Sequence, residues 1–154
     1  VRVQNALQST THSQLNDGMD VALCSFDPAT KTLQYAGANR PLYMFRNATL
    51  QEFKAKRKPV GRNVFEDDDT GFFTQTIILQ PDDRLYLFSD GFTDQFGGDA
   101  GRKFTAKRFV EILSEYENLK MVRQKDDLLL LFENWKGSYP QLDDVLVMGI
   151  RIPS

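Results

Sequence analysis

Short stretches in which apolar residues alternate with polar ones predict that much of the chain forms β-strands. Turn-forming residues such as Asp27-Pro28 and Asn47-Ala48 separate neighbouring stretches, so we expect consecutive strands to pair as hairpins. The expected pairs are 21–26 with 32–37, 41–46 with 49–53, and 72–79 with 84–89, and a last strand is expected at 145–152.

Two consecutive helices are predicted between residue 104 and the last strand, because apolar residues recur there at i, i+3, i+4 and i+7. The first set is Phe109, Ile112, Leu113 and Tyr116, with Thr105 as N-cap, and the second is Leu128, Leu131, Phe132 and Trp135. The glycine-rich segment 92–102 is expected to be a loop that acts as a lid. This order favours an α+β fold, with an antiparallel β-sandwich flanked by helices.

Composition and charge narrow the classes of function. The 154 residues suit one domain, and a net charge of −2 gives no electrostatic reason to bind nucleic acid or a membrane surface. Cys24 is the only cysteine, which excludes an intrachain disulfide and favours a cytoplasmic location. Because its neighbours are apolar, we also expect its thiol to be buried. Because the chain starts without Met, we expect it to be a piece of a longer protein.

The candidate chemistry lies in two carboxylate motifs, each next to an apolar run. Asp90-Gly91 follows the run that begins at Leu85, and Asp143-Asp144 precedes the run 145–150. Carboxylates that converge at one rim of a sheet would suit Mg²⁺ or Mn²⁺, which prefer oxygen ligands. Two alternatives stay open, because Asp-Gly is also a common turn pair and adjacent aspartates also occur at solvated loop ends.

The motifs together resemble a known family. The resemblance runs from about Gly18 to Ile152 and is carried by residues 33–43, 58–61, 85–98 and 141–147. In order and spacing these segments are similar to the C-terminal part of the SpoIIE-like, metal-dependent serine/threonine phosphatases of the protein phosphatase 2C superfamily. We therefore expect residues 17–154 to be part of such a domain, and residues 1–16 to be a tail or the end of a helix.

The resemblance implies a hydrolase with two Mn²⁺ or Mg²⁺ ions and no side chain as nucleophile, since metal-activated water attacks the phosphate. Asp90 and Asp143 correspond to metal ligands of the family. Asp144, its neighbour, is a further candidate metal ligand, Gly91 a backbone position of close approach at the metal site, and Asp94 a second-shell or outer metal contact. The resemblance also implies a phosphorylated protein substrate, such as an anti-sigma factor antagonist, and an upstream sensor domain.

One family motif has no counterpart in the chain. The first metal-binding aspartate of the family lies in a Gly-Asp motif, whereas Asp17-Gly18 is expected to be a turn. We therefore expect an incomplete, inactive site in this chain and an active one in the parent protein. The alternative is a non-catalytic sensor or protein-interaction domain, and the charge balance argues against a nuclease. An uncovered sheet edge would also favour a homodimer.

Overall fold

A computed structural model describes residues 18–61 and 71–153, which fall into two compact units. The first unit comprises residues up to 42 together with 53–79, and the second comprises 43–52 together with the residues from 80 onward. The expected tail at 1–16 and the turn at Asp17 lie outside the described residues.

The first unit is built on a three-stranded antiparallel sheet. Its strands are β1 (Val21–Asp27), β2 (Thr32–Ala38) and β5 (Gln75–Ile78), in the order β1-β2-β5. The predicted hairpin between β1 and β2 is confirmed, and Asp27 closes its turn by accepting hydrogen bonds from the Ala29 amide and the Thr30 hydroxyl.

The prediction of a buried thiol at Cys24 was wrong, because the side chain is exposed. Its neighbours in β1 are largely exposed as well, and Leu23 keeps 66% of its surface. The apolar residues of β1 therefore do not pack into a core formed by the described residues.

The second unit contains nearly all of a four-stranded sheet. Its strands are β3 (Leu42–Arg46), β4 (Thr49–Phe53), β6 (Arg84–Phe88) and β9 (Val147–Arg151), in the order β4-β3-β6-β9. β6 is antiparallel to both of its neighbours, β3 and β9. The predicted turn between β3 and β4 is confirmed, with Asn47 and Ala48 both at positive φ.

The predicted hairpin between 72–79 and 84–89 was wrong, because β5 pairs with β2 whereas β6 pairs with β3 and β9. The connection between the two strands explains the difference. Asp82 adopts a left-handed conformation (φ 66°), and Asp83, which is 1% exposed, accepts two hydrogen bonds from the Arg46 guanidinium. Asp83 therefore fixes the start of β6 beside β3.

The rest of the second unit consists of three helices and a small hairpin. The elements are α1 (Asp90–Asp94), β7 (Phe96–Gly97), β8 (Arg102–Lys103), α2 (Ala106–Glu115) and α3 (Met121–Lys136). Both long helices confirm the predicted apolar spacing, and Thr105 caps α2 by accepting a hydrogen bond from the Arg108 amide. Phe92, Phe109 and Phe132 meet in the core of this unit. The α+β class, with antiparallel sheets and helices, is thus confirmed.

The glycine-rich segment is not the loop that was predicted. It forms α1 and the β7-β8 hairpin, and the Gly98 amide donates a hydrogen bond to the Trp135 carbonyl at 2.9 Å. A Cβ at Gly97 would lie 1.9 Å from that same carbonyl oxygen. Glycine is therefore needed here for close packing against α3.

No helix in the described part of the chain combines the length and apolar character needed to cross a membrane.

Candidate metal site

The two carboxylate motifs lie side by side in the second unit, and Ser89 holds them together. Its amide donates a hydrogen bond to the Leu146 carbonyl at 3.0 Å, and its hydroxyl donates one to the Asp144 carbonyl at 2.7 Å. The same hydroxyl oxygen accepts a hydrogen bond from the Leu146 amide at 2.9 Å. These bonds fix the segment that enters β9 against the end of β6.

Gly91 allows the two segments to approach each other. A Cβ at this position would lie 2.4 Å from the carbonyl oxygen of Asp144 and 3.2 Å from that of Asp143. Real Cβ atoms do not approach backbone oxygen so closely, so any larger residue would force the segments apart. The structure thus requires a residue without a Cβ at position 91, and the role of Gly91 at a metal site stays a prediction.

The two motifs present their carboxylates differently. Asp90 is half-buried and is the first residue of α1, whose residue Thr93 donates a side-chain hydrogen bond to the Asp90 carbonyl at 3.2 Å. Asp143 and Asp144 are exposed and precede β9 by a few residues, so they lie in a loop and not at the first position of the strand. In that loop an Asp143 carboxylate oxygen accepts a hydrogen bond from the Asp144 amide at 2.8 Å.

Asp94 lies at the opposite end of α1 from Asp90. Its carboxylate forms an ion pair with Lys103 at 2.9 Å, and both side chains are about half exposed. A surface ion pair of this kind contributes little to stability, so it does not compel Asp94 to stay there. The expected outer metal contact by Asp94 remains a prediction.

Carboxylate oxygens are the ligands that a hard divalent cation prefers, but the described residues do not gather enough of them in one place. The hydrogen bond of Ser89 and the close approach at Gly91 bring the backbone of the loop 143–146 to the start of α1, so Asp90, Asp143 and Asp144 belong to neighbouring segments. Within residues 18–61 and 71–153, however, no three acidic, histidine or cysteine side chains form a group that could hold a metal.

Two residues that support this arrangement were missed in the sequence. Ser89 adjoins Asp90, but nothing in the spacing indicates its partner 55 residues later. Gln95 is 1% exposed, and its amide nitrogen donates to the carbonyls of Phe96 and Pro140, both at 2.9 Å. A glutamine at this position gives no signal of such a role in the sequence. Its hydrogen bond to Pro140 ties the end of α1 to the segment that leads into Asp143.

Comparison with known families gives this geometry a context. The family model described as Stage II sporulation protein E (SpoIIE) matches residues 2–153, nearly the whole chain. The chain belongs to the SpoIIE family. This confirms the resemblance that the motifs around Asp90 and Asp143 indicated. A comparison with curated proteins gave no significant match.

Solved structures of phosphatase domains share the fold. The SiaA-PP2C domain of Pseudomonas aeruginosa is 29% identical, with a TM-score of 0.85 over 97% of this chain and 57% of that one. The phosphatase domain of SpoIIE from Bacillus subtilis is 14% identical, with a TM-score of 0.67 over 99% and 64%. The RsbU and RsbW domains of Rv1364c from Mycobacterium tuberculosis are 19% identical, with a TM-score of 0.72 over 97% and 40%.

The chain therefore spans less than two thirds of each of these three solved chains. Its membership of a phosphatase family and its PP2C-like fold are shown.

Proposed function

We propose that the chain forms the C-terminal part of a phosphatase domain that hydrolyses phosphoserine or phosphothreonine with the help of Mn²⁺ or Mg²⁺. The observation that carries the proposal is the joining of Asp90 to the Asp143-Asp144 loop through Ser89 and Gly91. Asp143 and Asp144 are exposed, so their carboxylate oxygens, the ligand type that Mg²⁺ and Mn²⁺ prefer, are accessible to a cation.

Each residue of the proposed site has a separate task. Asp90 and Asp143 would bind metal through their carboxylates, and Asp144 would add negative charge beside them. Bound divalent metals would supply Lewis-acid stabilisation of a phosphate group and activation of water at neutral pH. Gly91 keeps the backbone close, and a further carboxylate from the parent protein would complete the ligand set.

The proposed substrate is a phosphorylated regulatory protein, such as an anti-sigma factor antagonist. Support comes from the SpoIIE family model and from a fold neighbour described as a PPM Ser-Thr phosphatase, from Mycobacterium smegmatis, with a TM-score of 0.59. We further propose a cytoplasmic domain that an upstream sensor in the same parent chain controls.

The test is substitution of the proposed ligands in the parent protein. Asp90→Asn and Asp143→Asn each remove one negative charge with little change in shape, so we expect Mn²⁺-dependent dephosphorylation of a phosphoserine protein to fall by about 100-fold or more. Asp99→Asn, in the exposed turn between β7 and β8, is the matched control and should keep full activity. Unchanged turnover in either ligand variant, with folding intact by circular dichroism, would refute the assignment.

A second candidate is a non-catalytic sensor or protein-interaction domain that keeps the phosphatase fold. The observation in its favour is that the described residues hold no group of three metal-binding side chains. Calorimetric titration with Mn²⁺ separates the two. Tight binding by the parent protein and weak binding by this chain support the enzyme, whereas no binding by either supports the interaction domain.

We also propose that the chain forms a homodimer through β9. This strand ends the order β4-β3-β6-β9, and its residues Met148 and Ile150 are 49% and 44% exposed. Edge strands of this kind are templates for pairing with another chain. Sedimentation should show a dimer that Ile150→Lys dissociates, while Leu130→Lys on α3 leaves it intact. A clean monomer at high concentration would overturn the proposal.

A further inference from the structure

A polar cavity lies at the end of β6 opposite to Asp90, and the proposed function makes no use of it. Its volume is about 320 Å³, which exceeds the space of a single water molecule several-fold. The charged residues that line it are Arg46, Asp82, Asp83, Arg84, Glu117 and Arg151. The chain between Arg84 and Asp90 spans about 20 Å if each residue advances as it does in an extended strand.

Two arginines face each other across this end of the sheet. Arg84 on β6 is directly paired with Arg151 on β9, so two positive charges occupy opposite positions on neighbouring strands. Like charges in such positions destabilise a sheet unless a counter-charge lies nearby. Among residues 18–61 and 71–153, neither guanidinium forms an ion pair with a carboxylate.

Backbone carbonyls meet only part of the hydrogen-bonding capacity of these arginines. Arg84, which is 2% exposed, donates from Nη1 to the Leu113 carbonyl at 2.9 Å, while its buried Nη2 has no hydrogen-bond partner. Arg151 donates from Nη2 to the carbonyls of Glu117 and Leu119, while its buried Nε has none. Buried N–H donors are rarely left without an acceptor in folded proteins.

The buried carboxylate beside them is already occupied. Asp83 accepts hydrogen bonds from Arg46 Nε at 2.8 Å, from Arg46 Nη2 at 2.6 Å and from the Gln80 amide at 2.7 Å. Its negative charge is thus directed at Arg46. Glu117, in the connection between α2 and α3, also lines the cavity. It contacts Arg151 through its backbone carbonyl and not through its carboxylate.

We propose that this cavity binds a small oxyanion, with inorganic phosphate as the probe that represents the class. The free N–H groups of Arg84 and Arg151 would donate to its oxygens, because a guanidinium presents planar donors that match phosphate and carboxylate groups. The bound anion would neutralise the cross-strand pair of positive charges. It would also connect β6 and β9 to the last turn of α2 and the segment that follows it, because Arg84 already donates to the Leu113 carbonyl and Arg151 to the Glu117 carbonyl.

The test is a phosphate titration of the chain without divalent metal, in EDTA and at constant ionic strength. We expect saturable binding by calorimetry and a rise in melting temperature that equal chloride does not reproduce. Arg151→Gln should weaken binding at least tenfold, in line with the loss of one charged donor (about 10-fold per 1.4 kcal/mol). Glu117→Gln should tighten it, since a competing negative charge is removed.

Controls separate this site from the metal site and from surface binding. Arg102→Gln, on the exposed strand β8, should leave phosphate affinity unchanged, and so should Asp90→Asn. Equal affinity in Arg151→Gln and in the unaltered chain, with both folded by circular dichroism, would mean an adventitious ion only and would overturn the proposal. Absence of saturable binding to the unaltered chain would also overturn it. Because the titration excludes metal, either failure leaves the proposed phosphatase activity untouched.

Discussion

Ser89 donates a hydrogen bond through its hydroxyl to the carbonyl oxygen of Asp144, 55 residues later, at 2.7 Å. The Ser89 hydroxyl oxygen also accepts a hydrogen bond from the Leu146 amide, so one small side chain satisfies backbone groups on both sides of Val145. The start of α1, where Asp90 lies, is thereby held next to the Asp143-Asp144 loop. Hydrogen bonds between the Ser89 side chain and the backbone of that loop thus set the geometry of the candidate site.

Replacing Ser89 with Ala should weaken the attachment of the loop 143–146 to the end of β6. The Leu146 amide and the Asp144 carbonyl would both lose their partner, and we expect a loss of about 1 kcal/mol in the free energy of unfolding, measured by urea denaturation. In the parent protein the affinity for Mn²⁺ should fall as well, because the loop is no longer fixed against Asp90. Ser114→Ala is the control, since its hydroxyl makes only a 3.4 Å contact with the Ala48 carbonyl. Equal effects of the two substitutions on Mn²⁺ affinity would contradict the role of Ser89.

Replacing Gly91 with Ala should be more damaging. The added Cβ would lie 2.4 Å from the Asp144 carbonyl oxygen, so the loop must shift. Overpacking of this kind costs about 1–3 kcal/mol, which urea denaturation would report as a lower transition midpoint. Gly71→Ala is the matched control, because a Cβ there meets nothing within 4 Å. A Gly91→Ala protein as stable as Gly71→Ala would show that the close approach is not required.

The alternation of residues revealed strands better than it revealed their partners. A period of two specifies which face a residue occupies, but it carries no information on which strand lies beside it. For this reason the pattern predicted a strand at β5, although the strand is shorter than the predicted 72–79. It did not predict that this strand pairs with β2. The decisive contact for β6 is the ion pair between Arg46 and Asp83, which are 37 residues apart.

The site shows the same limit of sequence reasoning. Asp90 and Asp143 could be proposed as metal ligands because carboxylates beside apolar runs suggest chemistry, and Gly91 through the family resemblance; their metal role stays a prediction. Ser89 and Gln95 were not, since their function depends on backbone carbonyls that only the folded chain brings near. The cross-strand pair of Arg84 and Arg151 was hidden for the same reason, because it depends on the register between β6 and β9.

The turn between β3 and β4 offers a test of backbone strain. Ala48 adopts φ 58°, a left-handed conformation that costs a residue with a Cβ about 1 kcal/mol or more. Ala48→Gly should therefore raise the free energy of unfolding by several tenths to about 1 kcal/mol, as measured by urea denaturation. Ala100→Gly, in a turn without this strain, should lower it slightly, because glycine adds entropy to the unfolded chain. Destabilisation by Ala48→Gly would show that the turn relaxes in solution.

The turn between β1 and β2 predicts a dependence on pH. Hydrogen bonds from the Thr30 hydroxyl and then the Ala29 amide lower the pKa of the Asp27 carboxyl below its usual 3.8. Since the folded pKa is the lower one, the stability that Asp27 adds is complete above pH 3.8 and is lost as the pH falls through the folded pKa. Thr30→Val removes the larger cause, so the pKa of Asp27 should rise toward 3.8 in an NMR titration of its carboxyl carbon. Thr49→Val, at the start of β4, should leave that pKa where it was. An unshifted pKa of Asp27 in Thr30→Val would mean that the amide alone holds the carboxylate.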